Sequence, residues 1–231
     1  MQGSIQSTGN SLFVDFVDEG EYLQLTRFVL SGFVSWAFHP VILTPLSIGL
    51  VITLSQPQGW ILGLTSYIMF GVLVPLSFMA YMKFSGQVSD WNASKQNERP
   101  KLLFAVAFGG LCSVTALLIA KSLGFKSPNI FSIISLSQAL AGLGMFLTTV
   151  LFIKRGTLLK PSFHVGGTCF ALSIIVLGGL IPNLSHGIMM IICSSMLMAF
   201  ARVNNRHHHL YDTVISFLIC GASALISSLI V

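Results

Sequence analysis

The sequence predicts an all-α polytopic transmembrane bundle of about seven spans, and three observations lead there. The 231 residues are 54% hydrophobic and only 8% charged, with a mean hydropathy of +0.84. A soluble domain carries roughly 25% charged residues, so a water-soluble globule is excluded. Apolar runs of about 20 residues recur along the chain, the length a helix needs to cross a hydrocarbon core that satisfies no exposed backbone group. Short polar or Pro- and Gly-containing stretches separate those runs.

The elements follow in chain order. Residues 1–12 are polar, with no basic region leading into an apolar core, so no cleavable signal peptide is expected. Residues 13–27 mix Phe13, Val14, Phe16 and Val17 with Asp15, Asp18, Glu19 and Glu21, which suits a short interfacial helix. Residues 1–27 therefore form an N-terminal polar segment, and 28–231 the membrane domain. Its spans are expected at 28–54, 60–82, 102–123, 130–153, 165–181, 184–201 and 213–231. The first is long and carries Pro40 and Pro45, which predicts a kink, a tilt or a partly re-entrant path. A tight turn at Ile181-Pro182-Asn183 separates the fifth from the sixth.

Charge orients this arrangement. Ten of the twelve Lys and Arg fall on the side that holds the N-terminus, leaving only Lys121 and Lys126 on the other. The positive-inside rule makes the first side cytoplasmic. Cations this sparse do not make a phosphate-tracking surface, so no nucleic-acid partner is expected; the surrounding partners are membrane lipids. Cys112, Cys169, Cys193 and Cys220 lie in apolar runs without metal-ligand spacing and read as small core residues.

Three segments on the cation-rich side carry most of the polar chemistry: residues 89–100, 160–164 and 201–212. Two crossings separate each from the next, so all three return to one face. Arg99 and Arg202 offer planar, permanently charged forks suited to phosphate oxygens. Ser162 stands where span five begins, at the positive end of a helix. His164 and His208 are a candidate acid–base and nucleophile pair near neutral pH. Asp212 follows His208 by four residues, one helical turn, and is placed to orient its ring. An anion cradle with two histidines and a carboxylate points to phosphoryl transfer through a phosphohistidine, with neither metal nor cofactor.

These segments resemble the three signature motifs of the type 2 phosphatidic acid phosphatase superfamily. Arg202, His208 and Asp212 match the third motif in spacing, with Ala201 in place of its serine. Pro161, Ser162 and His164 match the second, with Phe163 in place of glycine, and Arg99-Pro100 match the first. The resemblance covers roughly residues 83–231. It implies an acid-phosphatase/haloperoxidase-like core in the last five spans and a metal-independent phosphatase acting on a lipid phosphate or isoprenyl diphosphate. By the same resemblance His208 attacks phosphorus, Asp212 orients it, and His164 protonates the leaving oxygen and then activates water. Arg99, Arg202, Ser162 and the amide of Phe163 hold the phosphate oxygens.

The first motif's lysine is Asn92 here, which removes a cation. On a helix Lys95 would share a face with positions 92 and 99, so it is a candidate replacement. Two readings from other classes stay open: a silent homologue that binds a lipid phosphate headgroup, and a small transporter, for which the spans offer few midplane polar groups. Consecutive histidines point about 100° apart, so His207, His208 and His209 do not easily share a metal. His39 before Pro40 reads as a hydrogen-bonded histidine at a kink, His186 as structural, Asp90 as a helix cap, and the Met residues of span six as packing.

Overall fold

The computed structural model describes residues 19–89, 95, 97–156, 159–205 and 208–231. They are mostly helical, with no strand among them. Eight helices follow in order: α1 Glu19–Ala37, α2 Pro40–Ser55, α3 Trp60–Phe84, α4 Arg99–Ser122, α5 Asn129–Lys154, α6 Phe163–Leu177, α7 Leu184–Asn204 and α8 Leu210–Ile230. Residues 1–18, Asp90 and Asn92 lie outside the described set.

Five helices (α3, α4, α5, α7 and α8) are long and apolar enough to cross a bilayer, and α1 with α2 makes up to six if that bent pair is one span. The expected first span is thus two helices at 41° to each other, broken at Phe38-His39 ahead of Pro40, which cannot donate to the preceding turn. The expected fifth span is the 15-residue α6, about 22 Å long at 1.5 Å per residue, short of a core of about 30 Å. It stops at Gly178-Gly179, the second in the left-handed region at φ 74°, where glycine turns the chain without strain. The count is therefore five or six by length rather than seven.

Small residues set the packing between helices. A Cβ on Gly110 of α4 would stand 2.6 Å from the Ala139 amide of α5, so these two backbones approach as only small side chains allow. The serines there are mutually satisfied: Ser113 Oγ lies 2.8 Å from Ser135 Oγ, and Ser66 of α3 donates to the Ser113 carbonyl at 3.2 Å. In α3, Pro75 has no N–H for the Gly71 carbonyl one turn earlier, and residues Tyr67–Val72 widen into a π turn. Gln138 of α5 supplies the missing donor, reaching Gly71 O at 2.7 Å and Val106 O at 3.2 Å. A buried amide in the membrane interior is thereby fully engaged on its donor side.

Two of the three apolar clusters among the described residues lie toward opposite ends of the bundle. One, around Ile48, Val51, Tyr67, Leu117, Phe131, Ile134 and Ile174, lies toward the 55–59, 123–128 and 178–183 connections. The other, around Leu103, Ala141, Met145, Cys169 and Cys220, underlies the opposite end. Large apolar side chains such as Phe108, Leu118, Leu151, Phe200 and Leu218 cover the outside, as a lipid-facing surface requires. Met198 is core while Met189 and Met196 face outward, so of these three only Met198 packs inside the bundle.

Candidate functional site

Arg99 begins α4, Phe163 and His164 begin α6, Arg202 ends α7 and Asp212 lies in the first turn of α8. All four helix ends meet at one end of the bundle. The break between α1 and α2 joins them: Thr168 Oγ1 donates to Phe38 O at 3.1 Å, and a Cβ on Gly167 would come within 2.4 Å of the Pro40 ring. A cavity of about 520 Å³ opens there, lined by Arg99, Lys160, Arg202, His39, His164 and His208, with Leu103, Val106, Met145 and Phe170 among its apolar walls. No described Asp or Glu lines it.

His208 is held by the chain rather than by its expected partner. Its Nδ1 lies 2.9 Å from the Lys160 carbonyl, which can only accept, so Nδ1 carries the proton and Nε2 keeps its lone pair. The Asp212 carboxylate is 3.8 Å from Nδ1, beyond hydrogen-bonding reach. Asp212 instead accepts from the Lys160 amide at 2.8 Å and the His209 amide at 3.0 Å. The carboxylate therefore fixes the two backbone segments that flank the histidine, and the ring is oriented at second hand. Burial pulls the His208 pKa below its ordinary 6.5, and Arg99 and Arg202 add to that; the nearby Asp212 and the Lys160 carbonyl oppose it without reversing it.

Arg99 is only 5% exposed. Its Nη1 donates to Pro161 O at 2.6 Å and its guanidinium lies 5.6 Å over the ring of Phe163, which thereby supports the arginine at the cavity wall. Arg202 Nε is buried and has no hydrogen-bond partner among the described residues. A buried guanidinium N–H in this state is a donor held ready for an acceptor.

Two expected ligands stand elsewhere. Ser162 is fully buried and caps α6: its Oγ accepts from the Val165 amide and its own amide donates to Ser216 Oγ at 2.6 Å. It shapes the start of α6 and does not line the cavity. The Lys95 side chain is 67% exposed, 3.9 Å from Glu98, and also stays outside the lining. Glu98 is occupied with the amide and hydroxyl of Ser89 at 3.0–3.1 Å. The lysine that does line the cavity is Lys160, expected from the sequence only as one of the cations of that face.

Gln138 went unremarked in the sequence, and His39, expected as a hydrogen-bonded histidine at a kink, lines the cavity as well. Both are polar groups inside apolar runs, a signal that by itself marks a functional candidate. The His39 ring meets the His164 ring edge to face, with centroids 4.7 Å apart at 90°. His209 is exposed and stacks on Tyr211, away from the cavity; His207 lies outside the described residues; His186 is exposed at the far end of the bundle. Among the described residues no three His, Cys, Asp or Glu side chains gather as a metal-holding group. Comparison with protein-family models, with curated proteins and with solved structures returned no match.

Proposed function

We propose that this protein is a membrane-embedded phosphatase of the type 2 phosphatidic acid phosphatase kind, hydrolysing a lipid phosphate or isoprenyl diphosphate through a phosphohistidine. One observation carries the reading: three cations and three imidazoles from four separate chain segments line a single cavity into which no described carboxylate projects. Such a cavity favours an anion, and the unpartnered Arg202 Nε is a donor for its oxygens. The apolar walls fit a substrate whose tail stays in the bilayer.

In this reading the neutral Nε2 of His208 attacks phosphorus, while Nδ1–H stays on the Lys160 carbonyl and stabilises the charge the ring acquires. His164 gives its proton to the departing oxygen. It then takes one from water, whose oxygen attacks the phosphohistidine to release phosphate and regenerate both histidines. Arg99, Arg202 and Lys160 bind the phosphoryl oxygens; Lys160 takes the place left by Asn92, a role first considered for Lys95. For the three segments to share one membrane face, α6 must count as a crossing despite its length, which makes seven with the α1–α2 pair. The cation bias would put that face in the cytoplasm.

The test is phosphate release by the purified protein in detergent micelles from phosphatidic acid and from an isoprenyl diphosphate, with and without EDTA. EDTA-resistant turnover, lost by at least about a thousandfold in His208→Ala, is the expected result. Binding of either lipid without release would establish the silent headgroup binder instead. Turnover abolished by EDTA would overturn the metal-independent mechanism.

A further inference from the structure

We propose that His39 is the positioning residue of His164, an addition to the site from the N-terminal helix pair. The proposal rests on the phosphatase reading for its catalytic consequence, and on geometry for the pairing itself. His39 sits in the break between α1 and α2, where the chain is held from both sides. Phe38 O accepts from Thr168 of α6, the Pro40 ring is wedged against Gly167, and the His39 carbonyl accepts from the Ile42 and Leu43 amides at 2.9 Å. Farther back, Ser31 of α1 donates to Asn205 Oδ1 at 2.6 Å and receives the Asn204 amide at 3.2 Å, tying α1 to the end of α7. The ring of His39 is therefore delivered to the first turn of α6 by a backbone with little freedom to withdraw it.

A histidine serving only the kink has no need to line the cavity or to meet a second imidazole. His39 does both. An edge-to-face pair at 4.7 Å restricts the tilt of the His164 ring and sets the positive edge of one imidazole against the electron-rich face of the other. That arrangement is most favourable when one of the two rings is protonated. A second proton is opposed by the first and by every charge around the cavity: Arg99 from α4, Lys160 from the segment before α6, Arg202 from α7, with His208 as a further titratable neighbour. In this proposal the pair carries one proton at the protonation step, on His164, the ring that must deliver it to the leaving oxygen. His39 itself needs no contact with phosphorus.

His39→Ala and His39→Phe probe this, because phenylalanine keeps an aromatic ring against His164 and loses the nitrogens. In phosphate release, His39→Ala should lower kcat about ten- to hundredfold with KM within about twofold, the usual scale for a mis-set catalytic group. His39→Phe should recover most of that loss. Equal kcat in wild type and His39→Ala, equal loss in both variants, or a loss confined to KM would each overturn the proposal.

A second measurement does not depend on turnover. The His164 imidazole is followed by NMR on histidine-labelled protein in micelles without substrate, assigned through His164→Gln. His164 should titrate at lower pH in His39→Ala than in wild type, with His39→Phe near wild type. A common midpoint in all three proteins would refute the pairing. If no lipid phosphate is hydrolysed but the midpoints separate as expected, the phosphatase reading fails and the pairing stands.

Discussion

The two ends of this bundle are built from the same kind of apolar helix, yet they handle charge in opposite ways. At the site end, connections are made by backbone carbonyls and amides that take up buried charged or titratable groups: Arg99 on Pro161 O, His208 on Lys160 O, Asp212 on the Lys160 and His209 amides. At the far end, the interior is sealed by Val51, Leu117, Phe131 and Ile174, and the described charged groups stay outside. Lys121 reaches Asn129 at 3.4 Å and Lys126 reaches Gln58 at 3.3 Å, both in exposed settings. The same residue type therefore means different things at the two ends. Lys126 is a solvated surface cation, whereas Lys160 lines a cavity and lends its backbone to two catalytic candidates. A buried charge persists only where its hydrogen bonds are supplied, and only one end supplies them.

The largest effect that would break this contrast comes from Arg99. Arg99→Ala should lower phosphate release about a hundred- to thousandfold, the scale for removing a transition-state donor, and leave the Pro161 carbonyl without its partner. Lys126→Ala at the far end should leave turnover at the wild-type rate. Comparable losses from both would mean that the charge asymmetry has no catalytic meaning.

Acidity sharpens the contrast further. The His208 pKa lies below 6.5, so the neutral imidazole that the phosphatase reading requires dominates at neutral pH, and turnover on the acid side should fall as pH drops beneath 6.5. The unfolded chain, with an ordinary histidine, binds that proton first. The folded state is therefore unpenalised above 6.5 and loses stability as pH falls from there through the lower, folded-state value. Melting temperatures across this window should decline in the wild type and decline less in His208→Gln.

Smaller effects probe the apolar end and the site's periphery. Ile134→Val should cost roughly 0.5–1.5 kcal/mol of stability through lost packing, read by thermal unfolding in micelles, with kcat per folded molecule unchanged. Lys95→Ala should change neither turnover nor stability by more than about 1 kcal/mol, since its partner Glu98 is met by an exposed side chain at 3.9 Å. A marked loss of lipid-phosphate affinity in Lys95→Ala would return that lysine to the phosphate cradle.

Much of the helical plan was legible from residue order. Apolar runs marked α3, α4, α5, α7 and α8 to within a few residues, because lipid demands that length and that composition. Pro40 announced the break in the first run. The fifth run misled, because hydropathy continues through Gly178 to Ile181 while Gly179 adopts a backbone that ends the helix. The spacing of Arg202, His208 and Asp212 pointed to one locus, and these residues do meet there with Arg99 and His164. What spacing could not convey is which atom meets which. A separation of four residues put Asp212 beside His208, but the chain entering α6 brings the Lys160 carbonyl nearer. Ser162 was likewise drawn to its own helix, because an N-cap hydroxyl finds an amide three residues on before it finds a ligand.

By itself, then, the sequence determined that this is a membrane-spanning α-bundle with its cations gathered at one end, since both properties follow from solvation of single residues. Only the tertiary structure decided that Lys160 rather than Lys95 lines the cavity, that Gln138 completes the turn Pro75 leaves open, and that His39 lies against His164. Those are distances between residues as much as 125 positions apart. Local spacing carries no record of such distances, because the approach of whole helices sets them.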